Sequence, residues 1–542
     1  MAANFSWANL LWANPEFVRH RRAELRPVRA ITVAVVVLFL CALLGLACWS
    51  YQQNELATAQ RGAEEYATQA WQNRLADVQE HFAQKTWLLF YRWLIGIQGI
   101  ALTFWTLFSC AQSVSGERDR KTWDFQRTTR LAPVEILTGK LLGEPVLVYF
   151  AVLCAAPITF IAGLAGGISF ATVTSVFVFL AATSVFLGLG GMWLSTLLES
   201  RTRGVGLIGA LALYGLTLGA YGMRDGGLPG LAAMSPLLGF IDILGASPGS
   251  ALYRFPAVLF GHTIPWLLMC VLLCGSFSGW LALMLVRNLK RDYPEIRPLS
   301  RWQAVGCAAF LNFLIYALLR PAGMHDTFAR QVRQGWFSDA SSVAIFAVAM
   351  NGLILFLMGL ATLTPQERLK VWRRKRTTGE SKMFADDGLP WPWLVISGVV
   401  AYALMVWGLL AWDHALPLQM HTLQTAALCL LVVLVFVTRD VLFLQWCMLT
   451  RLRQPVVKGF MFLCLYYAAA AVIAGLAGVS STDASYTTLA LLTPVRAFDS
   501  TRELTFSGNV IAGLVLQSGV IGVILVVISN RLQRPMQSGA AA

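Results

Sequence analysis

Long apolar runs alternate with short polar stretches along the whole chain. Runs near the roughly 20 residues that a helix needs to cross a bilayer occupy 30–50, 87–112, 141–165, 168–197, 205–222 and 257–286. Six more occupy 303–319, 340–363, 391–412, 422–438, 459–478 and 508–529, and those at 205–222, 303–319 and 422–438 are the shortest. The pattern predicts an all-α, polytopic integral membrane protein of about twelve transmembrane helices in two six-span halves, 1–290 and 291–542. The first run lacks a small-residue cleavage site and reads as a retained span. Ahead of it, Phe5, Trp7, Leu10, Leu11, Trp12, Phe17 and Val18 mark 4–18 as an interfacial helix. The polar stretch 51–86 carries Trp71, Leu75, Val78 and Phe82 at steps of four, three and four, one face of a helix that continues into the second span.

Charge orients this pattern. With loops assigned alternately to the two sides, one set carries 31 of the 42 Lys and Arg residues. Positive charge collects in cytoplasmic loops, so both termini are expected in the cytoplasm. The net charge of +14 then follows from topology, and no nucleic-acid partner is needed to explain it. The ten cysteines lie in or beside the runs and the six histidines are scattered, so neither structural disulfides nor a metal site is expected.

One loop on the basic side stands apart. Ser115 to Lys140, SGERDRKTWDFQRTTRLAPVEILTGK, holds 10 of the chain's charged residues in 26 positions, with Trp123 and Phe125 among them. Ser115 can cap a short helix with Glu117 and Asp119 in its first turn. Pro133 suits the first turn of the next helix, with Glu135 following. Composition alone weighs a protein-docking element and a solvated basic loop about equally.

The order of residues favours docking. Glu117, Arg118, Asp119, Thr122, Trp123, Asp124, Thr129, Leu131, Glu135, Ile136, Gly139 and Lys140 resemble the loop after the second span of type-2 ATP-binding-cassette (ABC) permeases, E-R-E-x-G-T-L-E, T-P-L, E-I-x-x-G-K. Asp119 and Asp124 stand where that family has Glu, Lys121 where Gly is common and Arg130 where Pro is common. Asn14-Pro15 followed by Arg19, Arg21, Arg22, Glu24 and Arg26 resembles the family's N-P-x-x-x-R-E-L-R lead-in. The resemblance covers roughly 1–290. It implies that Glu117, Arg118, Asp119, Thr122, Trp123, Asp124, Glu135, Gly139 and Lys140 belong to a coupling helix that contacts a separate cytoplasmic ATPase subunit. Of these, Glu117, Arg118 and Trp123 are expected at the contact itself.

The second half carries weaker echoes. Ser235-Pro236 with Phe240 and Asp242 precedes the sixth span, and Thr493-Pro494 with Phe498 and Asp499 the twelfth. By span order the counterpart of Ser115–Lys140 is 364–390, where Glu367, Arg368 and Trp372 form a possible second coupling loop. A competing alignment pairs Arg118-Asp119 and Thr129-Arg130-Leu131 with Arg439-Asp440 and Thr450-Arg451-Leu452; span order favours the first.

No GxxxxGK[ST] phosphate loop occurs and no cytoplasmic loop is long enough for a nucleotide-binding domain. No catalytic, cofactor or metal residues are therefore expected on this chain, and ATP and Mg belong to the partner ATPase, expected in two copies. A second permease chain is a further possible partner, beside membrane lipids. Every charged residue is expected in a loop or near a span end, which argues against an ion-coupled secondary carrier and for an apolar pathway. The reading is the permease subunit of an ATP-driven exporter of an apolar or amphiphilic, lipid-like substrate, in a bacterial-type plasma (inner) membrane. A mechanotransmitting subunit that acts on a partner envelope protein is the alternative.

Overall fold

The computed structural model describes residues 14–66, 68–197, 203–219, 229–235, 257–260, 262–291, 297, 299–318, 340–379, 384–411, 420–450, 455–480, 491–494 and 508–533. It is an all-α polytopic protein divided into two compact units, Met1–Ile296 and Arg297–Ala542. Ten helices among the described residues are long and apolar enough to cross a membrane.

In the first unit, α1 (Pro15–Glu24) leads into α2 (Pro27–Tyr66). Its 40 residues make a rod of about 60 Å, twice the roughly 30 Å hydrocarbon core, so α2 projects well beyond the membrane. Helix α3 (Gln69–Glu80) folds back on that projection. The face predicted from Trp71, Leu75 and Val78 is the more buried side of α3, and Trp71 lies so close over Gly62 that a Cβ there would fall 2.5 Å from the ring. Glu55 and Arg74 pair at 3.1 Å across the hairpin.

A break at His81 separates α3 from α4 (Phe82–Asp119), 38 residues long. A π-helical turn, Ala101–Trp105, interrupts α4 near its middle. No helix begins at Ser115. The second span runs straight through that position to Asp119 because Val114 and Ser115 stay in helical register, with their amides directed at Ser195 Oγ at 3.0 Å. The polar segment proper therefore starts at Arg120, with a short α5 (Trp123–Thr128) and then α6 (Pro133–Gly143). Pro133 occupies the first turn of α6 as expected, and the Glu135 carboxylate accepts the Ala132 amide at 2.7 Å.

Helices α7 (Val146–Ala165), α8 (Phe170–Leu197), α9 (Arg203–Gly219) and α10 (Trp266–Asn288) complete the unit. Glycines bring α8 against α4: a Cβ on Gly191 would lie 2.5 Å from the Leu107 carbonyl oxygen. The apolar run at 257–286 is not one span. It opens as a hairpin of β1 (Ala257–Leu259) and β2 (His262–Ile264), antiparallel, and Pro265 then starts the helix.

The second unit contains α11 (Arg301–Ala317), α12 (Ala340–Ala361), α13 (Gln366–Thr377), α14 (Trp391–Ala411), α15 (Met420–Met448), α16 (Pro455–Ser480) and α17 (Gly508–Gln533). Helices α9 and α11, where two further crossings are expected, have 17 residues each. Most of the interfacial stretch 4–18 lies outside the described residues, as do Phe240, Asp242, Phe498 and Asp499 of the internal echo.

One expectation is overturned here. Arg439 and Asp440 are not in a loop but inside α15, buried, nine and eight residues before its end. The Arg439 guanidinium donates to Asp440 Oδ1 through Nε at 2.8 Å and Nη2 at 2.6 Å, and to Gln517 Oε1 at 2.8 Å. The Tyr466 and Tyr467 hydroxyls accept from it at 3.1 and 3.0 Å, and Tyr467 donates to Asp440 Oδ2 at 2.6 Å. The helix tolerates the charges because they neutralise each other and are bonded by α16 and α17. The competing alignment of Arg439-Asp440 with Arg118-Asp119 thus compares the interior of one helix with the last turn of another.

Candidate coupling site

The residues singled out in Ser115–Lys140 converge with the N-terminal lead-in on one side of the first unit. Asn14 caps α1, its Oδ1 accepting the Glu16 amide at 3.0 Å and the Phe17 amide at 3.4 Å. Its Nδ2 also donates to the Glu135 carbonyl at 2.7 Å and to Thr138 Oγ1 at 3.2 Å, which staples α1 to α6. An amide side chain is needed for this, since a carboxylate accepts but cannot donate. Gly139 and Gly143, one turn apart, give α6 the flat face on which α1 lies. A Cβ on Gly139 would fall 2.6 Å from the Glu16 Cβ, and one on Gly143 2.9 Å from His20.

Three elements pool their charged groups beneath this contact, and α5 adds an amide. Lys140, with 0% exposure, pairs with Glu117 Oε2 at 2.7 Å and Glu16 Oε1 at 3.5 Å. Arg19 Nη2 reaches both carboxylates at 2.7 Å. Gln126 Nε2 donates to Glu117 Oε1 at 2.7 Å and Glu16 Oε1 at 3.3 Å. Two carboxylates thus face two cations, a neutral set that can be buried because every charge has a partner. Burial disfavours the charged form of Glu16, but the His20 hydrogen bond and the Lys140, Arg19 and His20 charges outweigh it and hold the carboxyl down at about 2. Glu144 shows the opposite balance. Burial raises it against the nearby His20 and Lys140 charges, and Glu117 and Glu16 add to the rise.

Where α4 ends, the backbone closes a Schellman turn: the Thr122 amide donates to the Glu117 carbonyl and the Lys121 amide to the Arg118 carbonyl, each at 3.0 Å. Lys121 occupies the left-handed position of that turn, φ 57°, which glycine usually fills. The chain then enters α5 on Trp123, buried among Cys110, Val114, Ile136, Leu137, Met192 and Leu285, with the Lys140 ammonium 5.7 Å from its ring centroid.

Glu117, Gly139, Lys140 and Trp123 are therefore interior to the segment. The expectation that Glu117 and Trp123 meet a partner directly does not fit their burial; they shape the element from inside. Arg118 is half-buried, its Nη2 donating to the Thr196 carbonyl at 3.2 Å. Asp119 and Glu135 are half-buried too. Arg120, Lys121, Thr122, Asp124, Phe125 and Arg130 face outward, and Phe125 is 76% exposed. Glu16, Gln126 and Gly143 were not singled out from the sequence. The i, i+4 spacing of Gly139 and Gly143 was the available signal for the third; nothing in the spacing marks the other two.

In the second unit, Glu367, Arg368 and Trp372 lie on α13. Trp372 and Leu369 are buried against Leu442, Leu449, Ile528 and Leu532, while Glu367 is exposed. This loop is fastened by Arg301, whose guanidinium donates to the Asp386, Gly388 and Leu389 carbonyls and to Thr364 Oγ1 at 2.5–2.9 Å. Burial, set against the Asp386 charge, lowers Arg301 to about 10.

Residues 24–293, nearly all of the first unit, match the model of the family described as ABC-2 family transporter protein. No curated protein matches the chain, and no solved structure does. The match spans the multi-pass helical unit that holds α2 to α10, and the chain accordingly belongs to the ABC-2 transporter family as an ABC permease subunit.

Proposed function

We propose that the outward face of Arg120–Arg130 docks a separate cytoplasmic ABC ATPase, and that its ATP-driven closure moves α4 and α1 together. The observation that carries this is the combination of an exposed Phe125 with a buried ion network that ties the docking segment to α4, α1 and α6. Aromatic anchors of this kind dominate protein interfaces, and a segment locked by buried ion pairs transmits rigid-body motion. Nucleotide and Mg reside on the ATPase, expected in two copies, and a second permease chain is a further candidate partner. The excess of basic residues on this side supports a cytoplasmic placement in a bacterial-type plasma membrane.

The cargo we favour is amphiphilic and lipid-like. A cavity of about 580 Å³ opens between α2, α4 and α7, walled by Leu38, Gly45, Trp49, Trp87, Phe90 and Ile161, and suits an apolar chain entering from the bilayer. Arg439 and Asp440 place a charged pair inside one membrane-length helix. That pair is closed on itself, so it favours a structural clamp over an ion-coupling carboxylate. The length of α2 beyond the membrane favours a second reading, in which the α2–α3 hairpin passes ATPase-driven motion to an envelope protein instead.

Phe125→Ala should change folding stability by no more than about 0.5 kcal/mol and weaken ATPase association about 30-fold, the value of an interface anchor of roughly 2 kcal/mol. Normal ATPase binding and normal transport in that variant would sink the docking role. Dissipating the proton gradient at constant ATP should leave transport intact, whereas a hydrolysis-dead ATPase should abolish it; the reverse pattern restores the ion-coupled carrier.

A further inference from the structure

The most basic element of the second unit, α13, covers a cavity that the coupling scheme does not use. Its 12 residues include Arg368, Lys370, Arg373, Arg374, Lys375 and Arg376 against the single acid Glu367. The cavity, about 380 Å³, lies between α13 and the last turns of α17. Trp372, Leu389, Leu525, Ile528 and Leu532 supply apolar walls, and Arg373 and Arg376 line it with Thr377 and Ser529. Arg373 Nη1 donates to the Ser529 carbonyl, and the Arg376 guanidinium stands 5.3 Å from the Trp372 ring centroid. Arg373 is thus anchored inside the cavity, and Arg376, though exposed, stands at its rim over the Trp372 ring.

The position decides what can enter. Leu525, Ile528 and Leu532 belong to the terminal turns of a membrane-length helix, so the cavity sits where α17 leaves the hydrocarbon. A soluble anion would match the two guanidinium groups and waste the apolar walls. A neutral lipid would match the walls and leave two cations without an anion. A volume near the lower end of ligand-sized cavities fits a phosphate-bearing headgroup and the first carbons beyond it.

We infer that this cavity is a binding site for one anionic phospholipid of the adjacent leaflet, its phosphate held by Arg373 and Arg376. Guanidinium groups suit this task because their planar forks match phosphate oxygens, and basic pockets at span ends are where anionic headgroups collect. The site assigns α13 a lipid partner and is independent of the ATPase docking proposed for the first unit.

The test uses the full-length chain, delipidated and titrated with phosphatidylglycerol or phosphatidylcholine, with bound lipid counted by native mass spectrometry. Phosphatidylglycerol should bind at least about tenfold tighter. Arg373→Gln/Arg376→Gln should lower its binding about 20-fold, each guanidinium contributing a few-fold, and leave phosphatidylcholine binding unchanged. Arg376→Gln alone, on an exposed side chain that folding can spare, should lower it about fivefold. Arg374→Gln/Lys375→Gln removes the same charge from exposed positions outside the cavity and should have less than about a threefold effect. An equal loss in this control would reduce the effect to surface charge and overturn the site. So would competition by inorganic phosphate at millimolar concentration, which would mark a small-anion site. Loss of ATPase association in the Arg373/Arg376 variant with lipid binding intact would make α13 a coupling element and overturn it as well.

Discussion

The segments that follow α4 in the first unit and α12 in the second are fastened by opposite chemistry. In the first, carboxylates from α1 and α4 meet an ammonium from α6 and a guanidinium from α1, so the fastening depends on the ionisation of its side chains. In the second, one guanidinium from the start of α11 is spread over main-chain carbonyls at Asp386, Gly388 and Leu389. Main-chain acceptors do not titrate and do not swing away. Gln445 adds to this by pairing both of its amide atoms with the Thr364 backbone, at 2.8 and 2.9 Å. The difference separates a segment held by the charges of its side chains from one held through main-chain acceptors.

Removing the central cation should show this most strongly. Lys140→Met leaves Glu117 buried against Arg19 at 2.7 Å, and Glu16 against Arg19 and His20 at 2.7 and 3.3 Å, and breaking such a network costs about 3–5 kcal/mol. Adding Glu117→Gln should recover much of that loss, because the uncompensated charge is what destabilises. Arg301→Met should cost a similar amount through unsatisfied carbonyls, each about 1–3 kcal/mol, but no single acid-to-amide change should rescue it. Unfolding in detergent, followed for these three variants and for Arg301→Met combined with Asp386→Asn, measures both. If Glu117→Gln fails to rescue Lys140→Met, the carboxylate network is not what holds the first loop.

Acid should tell the two loops apart by a smaller margin. Glu16 is held at about 2 in the folded protein against an ordinary value of 4.5. A carboxyl lowered by folding contributes stability that is present above the ordinary value and is lost as pH falls toward the folded one. The first loop should therefore weaken between about pH 4.5 and 2, by on the order of 2–3 kcal/mol. Glu144, raised mainly by burial, gains its stability above that window, as pH falls toward the ordinary carboxyl value, and changes little within it. Arg301, lowered to about 10, remains charged throughout that window. Hydrogen exchange at Gln126 and Thr122 should speed up on acidification, beyond the intrinsic effect of pH, while exchange at Thr364 should not. Equal protection changes in both loops would erase the distinction.

How much of this could be read beforehand depended on whether the cause was local. Apolar runs announce helices because each residue alone favours lipid or core, and the all-α polytopic architecture was legible on that ground. Lys140, Gly139 and Glu117 were legible as a motif, but their burial was not. A charged residue reads as exposed until its partners are known, and Glu16, Arg19 and Gln126 come from 98 to 124 positions away or from a different helix. Arg439-Asp440 misled for the same reason: the charges end an apolar run in one dimension, yet in three they are closed by Tyr466, Tyr467 and Gln517. The lost glycine at position 121 is a middle case. The spacing from Glu117 to Thr122 matches a helix terminator, but a lysine in the left-handed slot hides it.

That lysine supports the mildest test. An L-residue in the left-handed region costs about 1–2 kcal/mol relative to its usual conformations, while glycine adopts it freely but loses more entropy on folding. Lys121 is exposed, so its side chain contributes little burial to set against the strain. Lys121→Gly should thus stabilise the first unit by about 0.5–1 kcal/mol, with the Thr122 to Glu117 and Lys121 to Arg118 hydrogen bonds kept. The corresponding change at the end of α13 is not available, because Gly379 already holds the left-handed position there, φ 78°; Gly379→Lys should cost about what Lys121→Gly gains. The two measurements together form an exchange of one residue type between matched turns. A Lys121→Gly variant that unfolds more easily than the wild type would mean that the lysine side chain is held by a contact of its own, and that the turn was adapted to it and is not strained by it.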